Sequence, residues 1–124
     1  MLQKIELEYE IMTSPRVLFP FLSTEIGLSE WFANNVIIDG NIYTFIFDEE
    51  QRRAELKDYN ENYHVKYNWI GSPDKSYLEF LIKIDDLTSD LVLIITDFAE
   101  PSEKDEIIKI WNNQISNLKH LIGL

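Results

Sequence analysis

Two acidic residues lie in segments whose patterns are typical of β-strands, and either could do acid–base chemistry. Glu55 belongs to the segment 54–57, and Asp97 belongs to the segment 91–98. A carboxyl group that projects into an apolar interior can act as a general acid or base, because burial moves its pKa towards neutrality. The alternation in these segments does not fix which face of a sheet either side chain occupies. The sequence therefore leaves their orientation open, and we assign no catalytic residue.

The chain has few side chains that could hold a metal. It contains two histidines, His64 and His120, and no cysteine, so the usual ligand sets of a metal site are missing. His64 opens a predicted strand on the face opposite Val65, which indicates a surface position. His120 lies in the last turn of a predicted helix, where a positive charge complements the helix dipole. We expect no metal site.

Motifs for calcium, nucleotides or covalent catalysis are also missing from the sequence. Asp85, Asp86 and Asp90 lack the spacing, the central glycine and the closing glutamate of a calcium loop, and indicate a solvated hairpin loop. The four glycines are scattered, with no phosphate-binding loop, dinucleotide fingerprint or nucleophile elbow. We therefore predict no cofactor.

Aromatic side chains are the chemical groups in which the chain is rich. Each ring taken singly is typical of a hydrophobic core, but together they could line a cavity. The hydroxyls of Tyr43 and Tyr67, if they point inward, need a partner and could orient a ligand. Trp31 and Phe32 end a short helix and are our candidates for a cavity entrance. The nine predicted lining residues are Trp31, Phe32, Tyr43, Phe45, Tyr67, Trp69, Phe80, Phe98 and Trp111.

A strand and two short helices are predicted in the first third of the chain. Residues 3–12 alternate between apolar and charged side chains, which is the period of a half-buried strand. Ser14 and Pro15 are typical of a helix cap and a first helical position. Pro20 should end this helix by removing a hydrogen-bond donor, and Gly27 should let the backbone turn. Two short helices are the expected result.

Strands in hairpin succession and one long helix are predicted in the rest of the chain. Segments 36–47, 54–57, 63–70, 77–84 and 91–98 have strand character, and polar or glycine-containing turns separate them. The run 91–98 is almost continuously apolar, which indicates a strand covered on both faces or paired in an interface, and so leaves a homodimer open. A helix capped by Ser102 follows, with an apolar stripe of Ile107, Trp111, Ile115, Leu118 and Ile122.

The segment 14–33 resembles the START-like proteins of the helix-grip superfamily, which includes the pollen-allergen type and the activators of a chaperone ATPase. The resemblance rests on Ser14-Pro15, the motif Gly27-Leu28-Ser29-Glu30-Trp31-Phe32, the strand ending in Thr96-Asp97-Phe98, and the helix 111–123. It implies a single α+β domain over residues 1–124, with a curved antiparallel sheet of about six strands. That sheet would wrap around a long C-terminal helix, and two short helices would follow the first strand.

Composition limits the classes of partner. Eleven basic and 22 acidic residues give a net charge of −11, which repels phosphate backbones and anionic lipid surfaces. No segment approaches the roughly 20 apolar residues of a membrane span. We expect a soluble, cytoplasmic protein that neither binds nucleic acid nor inserts into membranes.

Three functions are compatible with these features. The first is non-enzymatic binding of an apolar or amphipathic small molecule, lipid-like or polyketide-like, between the sheet and the C-terminal helix. The second is an enzyme of the cyclase or hydratase type known in the same superfamily, with Glu55 or Asp97 as its acid or base. The third is a protein-interaction module of the co-chaperone kind. A filled interior would eliminate the first two functions, and an open, purely apolar interior would leave binding. An open interior with a buried carboxylate of shifted pKa would favour the enzyme.

Overall fold

Seven strands form one antiparallel sheet in the computed structural model, which describes residues 1–72 and 74–124. The strands are β1 (Gln3–Glu10), β2 (Asn35–Asp39), β3 (Ile42–Phe47), β4 (Glu50–Asn60), β5 (His64–Trp69), β6 (Tyr77–Ile84) and β7 (Leu91–Ala99). The helices are α1 (Pro15–Ser23), α2 (Glu25–Trp31) and α3 (Lys104–Ile122). The turn predicted over 71–74 includes Pro73, which lies outside the described residues.

The strand order β1-β7-β6-β5-β4-β3-β2 confirms the predicted topology. The later strands pair with their sequence neighbours, and the two short helices carry β1 to the edge beside β7. The sheet has seven strands, where the sequence predicted about six, because the segment 36–47 contains a turn. Gly40 has φ of 60°, a left-handed conformation that glycine adopts readily, and it separates β2 from β3. The α+β helix-grip architecture is confirmed.

The break between α1 and α2 falls at Thr24, whereas the sequence predicted that Pro20 would cause it. Pro20 lies inside α1, and the helix continues to Ser23. Thr24 is extended, with φ of −98° and ψ of 157°. Its hydroxyl donates to the Pro20 carbonyl oxygen at 2.8 Å and accepts from the Gly27 N–H at 2.9 Å. One threonine side chain therefore closes α1 and caps α2.

The long helix covers the sheet with the predicted stripe. Trp111, Ile115 and Leu118 are buried, and Ile107 and Ile122 pack against the same cluster. Ser102 does not cap this helix, as the sequence suggested, because it lies within a short 3₁₀ turn over Pro101–Glu103, and α3 begins only at Lys104. Neither α3 nor any other described helix combines the length and the apolar character that a membrane span requires.

Gly27 allows α1 and α2 to lie against each other. A Cβ atom at this position would lie 2.1 Å from the Pro20 carbonyl oxygen and 2.7 Å from the Phe21 Cα. Both are backbone atoms, which cannot move aside without moving the helix. Glycine is therefore required here for the close approach of two backbones, and not for a turn.

We expect Gly27→Ala to destabilise the protein by about 1–3 kcal/mol or more, because the added methyl group overlaps the α1 backbone. Pro15→Ala is the matched control, since Pro15 occupies the first helical position and its replacement should change stability by less than about 1 kcal/mol. Urea unfolding measures both changes. Equal stability of the two variants would contradict the close packing of α1 on α2.

Candidate functional site

The concave face of the sheet carries a cluster of aromatic rings. Alternation in β3, β5 and β6 points Phe45, Tyr67 and Phe80 toward the helices, and all three are fully buried. Phe32, from the end of α2, stacks on Trp111 of α3 with ring centroids 5.7 Å apart. The rings contact one another edge to face or offset, as aromatic pairs prefer. Most of the predicted lining residues therefore form the core itself.

The hydroxyls of the two inward tyrosines bind main chain. Tyr67 donates to the Leu22 carbonyl oxygen at 2.8 Å, and Tyr43 donates to the Ser23 carbonyl oxygen at 3.0 Å. These carbonyls belong to the last turn of α1, where a helix leaves its acceptors without partners. Burial raises the pKa of both hydroxyls. The tyrosines therefore hold α1 on the sheet, and their protons are already committed to protein acceptors.

Phe98 and Glu55 lie on the convex face of the sheet. Phe98 pairs with Lys4 and packs against Tyr77, with ring centroids 4.9 Å apart. It therefore cannot line the space between the sheet and α3, as the sequence suggested. Glu55 forms a half-exposed ion pair with Lys57 at 3.0 Å. It cannot supply an acid or base to the interior.

Asp97 lies on the concave face, beside Ile5 of the neighbouring strand. Its Oδ2 accepts from the Trp111 Nε1–H at 2.8 Å, and its Oδ1 accepts from the Phe98 N–H at 2.8 Å. Burial raises the pKa of Asp97 above its ordinary value of 3.8, although both N–H donors and the charge of Arg52 act in the opposite direction. The carboxylate thus joins β7 to the middle of α3.

An open cleft of about 310 Å³ lies between the sheet and the first half of α3. Three of the predicted lining residues, Phe32, Trp69 and Trp111, lie along it. Asp97 also lines it, so a half-buried carboxylate and an open space do occur together. The remaining lining residues are Phe47, Glu50, Arg52, Leu78, Ile107, Ile110 and Gln114.

Arg52 supplies a positive charge on one side of the cleft. The Arg52 guanidinium carbon lies 3.8 Å from the centroid of the Trp69 ring, which is a cation–π distance. Phe45, opposite Arg52 in the register of β3 and β4, is fully buried on the concave face. Arg52 therefore belongs to the cleft side of the sheet and extends to its open edge.

The predicted entrance residues lie in different environments. Phe32 lines the cleft, whereas Trp31 packs against Phe80 with ring centroids 5.9 Å apart. The Trp31 Nε1–H donates to the Phe21 carbonyl oxygen at 2.7 Å. Of the two histidines, His64 contacts Glu79 at 2.7 Å on the convex face, and His120 lies at the end of α3. Neither histidine lines the cleft.

Sequence reasoning missed seven lining residues besides Asp97, namely Phe47, Glu50, Arg52, Leu78, Ile107, Ile110 and Gln114. The predicted strand began at Ala54. Residues 48–50 were assigned to a hairpin loop, and residues 51–53 were assigned to no element. In the structure β4 begins at Glu50, and the period of two that includes Ala54 and Leu56 also includes Arg52. Extending that alternation backwards would have placed the guanidinium on the concave face.

A curved antiparallel sheet closed by a long C-terminal helix defines a protein of the helix-grip class. The chain belongs to the START-like superfamily, because the family model described as a START-like superfamily domain matches residues 2–124. No curated protein matches the chain.

Several solved structures are similar to the protein. A solution structure of BfR322 from Bacteroides fragilis is 34% identical, with a TM-score of 0.67, and the match covers 99% of this chain and 93% of that one. The Aha1 dimer from Colwellia psychrerythraea is 17% identical, with a TM-score of 0.81 and coverage of 98% and 97%. DynU16, a protein of the dynemicin biosynthetic locus, is 11% identical, with a TM-score of 0.77 and coverage of 94% and 46%. The last two likenesses show the fold alone.

The raised pKa of Asp97 predicts a specific pH dependence of stability. The native state holds the Asp97 proton more tightly than the unfolded state does. The contribution of this group to the free energy of unfolding is therefore fully present below pH 3.8 and is lost as the pH rises towards the native pKa. Asparagine does not titrate. Its side chain has one oxygen where the carboxylate has two, so the substitution removes one hydrogen-bond acceptor at a cost of about 1–3 kcal/mol that does not change with pH. The unfolding free energy of the wild type minus that of Asp97→Asn should therefore decrease with rising pH.

Urea unfolding between pH 4 and pH 8 measures this difference. Asp86→Asn, in the exposed loop between β6 and β7, makes the same change of charge and controls for it. A difference that grows with pH would show that the native fold stabilises the Asp97 carboxylate, contrary to our interpretation.

Proposed function

We propose that the protein binds an apolar or amphipathic small molecule, lipid-like or polyketide-like, in the cleft between the sheet and α3. The observation that carries this proposal is the open space of about 310 Å³ with walls of Phe32, Trp69, Ile107 and Trp111. Small-molecule sites are concave, mostly apolar and supplied with a few fixed polar groups. Asp97 and Arg52 are such groups here.

The size of the cleft limits the ligand. Ligand pockets usually measure roughly 300–1,000 Å³, and this cleft is at the lower end of that range. The rings behind it contact one another, so a ligand gains no further depth without displacing the core. This favours a medium-chain fatty acid or a compact fused-ring compound over a whole phospholipid.

Binding explains the polar groups better than acid–base catalysis does. A catalytic acid needs an oxygen that can reach the substrate, whereas each Asp97 oxygen accepts an N–H from the protein. These contacts suit a positioning role, in which Asp97 fixes the orientation of the Trp111 ring in the wall. The co-chaperone alternative has fold similarity in its support, but no described feature of this chain selects a protein partner.

A substitution that fills the cleft should abolish binding. Ile110 is 45% exposed on α3 and lines the cleft, so Ile110→Trp places a bulky indole ring in the opening without entering the core. Leu121→Trp is the matched control, because Leu121 is 47% exposed near the other end of the same helix and does not line this cleft.

Medium-chain fatty acids and fused-ring polyketides are the probes, and thermal unfolding is the measurement. A ligand at a hundredfold excess over its Kd stabilises the native state by about 2.7 kcal/mol, which should raise the melting temperature by several degrees. The wild type and Leu121→Trp should respond alike, and Ile110→Trp should not respond. Absence of any shift in the wild type, or an equal shift in all three proteins, would contradict binding in the cleft.

A further inference from the structure

Arg52 lies at the open edge of the cleft and forms no ion pair with any residue that the structure describes. Among residues 1–72 and 74–124, no carboxylate lies within 4.0 Å of its guanidinium. Asp97 lines the same cleft, but its oxygens accept from Trp111 and Phe98. The chain has twice as many acidic as basic residues. The Arg52 guanidinium nevertheless forms no ion pair with Glu50 or Asp97, the two carboxylates of the cleft, and is therefore available to a ligand.

The surroundings of Arg52 hold its side chain in place before a ligand arrives. The guanidinium carbon lies over the Trp69 ring, 3.8 Å from its centroid, and only 9% of the Trp69 surface is exposed. A stacked guanidinium keeps its N–H groups free at its edge, where they can form two parallel bonds to one carboxylate. Less side-chain entropy is lost on binding when the group is already oriented.

Polar and apolar surfaces meet at Arg52. On one side lies the apolar cleft, and on the other lies a groove of about 520 Å³ that Arg52 and Trp69 share. The groove has a more polar surface than the cleft, and its other lining residues are Gln51, Arg53, Ser72, Ser76, Leu2, Ile70 and Gly71. A ligand with its head at Arg52 would thus place a polar group beside the polar groove and an apolar body inside the cleft.

We infer that the site selects amphipathic monocarboxylates, with the carboxylate bound by Arg52 and the apolar body held against Trp111, Ile107 and Phe32. This inference rests on the proposed function and adds the chemical class of the ligand. Glu50 and Asp97 line the same cleft, and their negative charge disfavours a doubly charged head group such as a phosphate monoester. A single carboxylate satisfies Arg52 with the least repulsion.

Three ligands with the same chain and different heads test the inference, namely decanoate, decanol and decyl phosphate. Their affinities can be measured by calorimetry and by the change in tryptophan emission. We expect decanoate to bind at least about tenfold more tightly than decanol, because a charged hydrogen-bonded pair is stronger than a neutral one. Decyl phosphate should bind more weakly than decanoate.

Three variants separate the guanidinium from net charge. Arg52→Gln should weaken decanoate binding about tenfold or more and leave decanol binding unchanged, and Arg52→Lys should restore part of the loss because it keeps the charge without the planar fork. Arg16→Gln is the matched control, since Arg16 is an exposed arginine on α1 and its loss changes net charge equally. Melting without ligand checks that each variant folds.

The possible failures can be told apart. If decanol and decanoate bind equally, or if Arg16→Gln weakens decanoate as much as Arg52→Gln does, the assignment of Arg52 is wrong while the proposed function stands. If decyl phosphate binds more tightly than decanoate, the head-group class is wrong. If none of the three ligands binds the wild type, both the inference and the proposed function lose their support.

Discussion

A curved sheet of seven strands presents more concave surface than one helix can cover, and the rest of the structure follows from this constraint. The α3 helix has 19 residues and buries only its central stripe. Large rings from the sheet and from the end of α2 occupy the space beside it, because the interior of a protein must be filled to a density close to that of a crystal. The cleft is the part of the concave surface that neither the rings nor α3 covers.

Polar contacts decide where that uncovered part lies. The Asp97 carboxylate joins β7 to Trp111, and the tyrosine hydroxyls join β3 and β5 to the end of α1. Each contact satisfies a buried donor, so that moving a helix would leave an unpaired polar group in an apolar environment. The helices are thus held at fixed points, and the opening stays at the sheet end near Arg52 and Trp69.

The architecture was predictable from the sequence because strand alternation and the C-terminal stripe are local signals. The orientation of Asp97 was not predictable, since apolar residues occupy both odd and even positions in the segment 91–98 and either face could have been the buried one. The same ambiguity put Phe98 in the predicted lining. The cleft could not be predicted at all. Whether space remains, and where, depends on a small difference between the volume of the concave space and the volume of the side chains that enter it.

The hydrogen bonds from Tyr67 and Tyr43 to α1 have a consequence for the order of folding. They join residues 45 and 20 positions apart, and the cost of closing such loops is met only after the strands that carry the tyrosines have formed. The β3–β5 hairpins can form from contacts between chain neighbours, whereas α1 acquires its native place only when that sheet exists. Docking of α1 is therefore a late step of folding, and α1 is among the first elements to detach on unfolding.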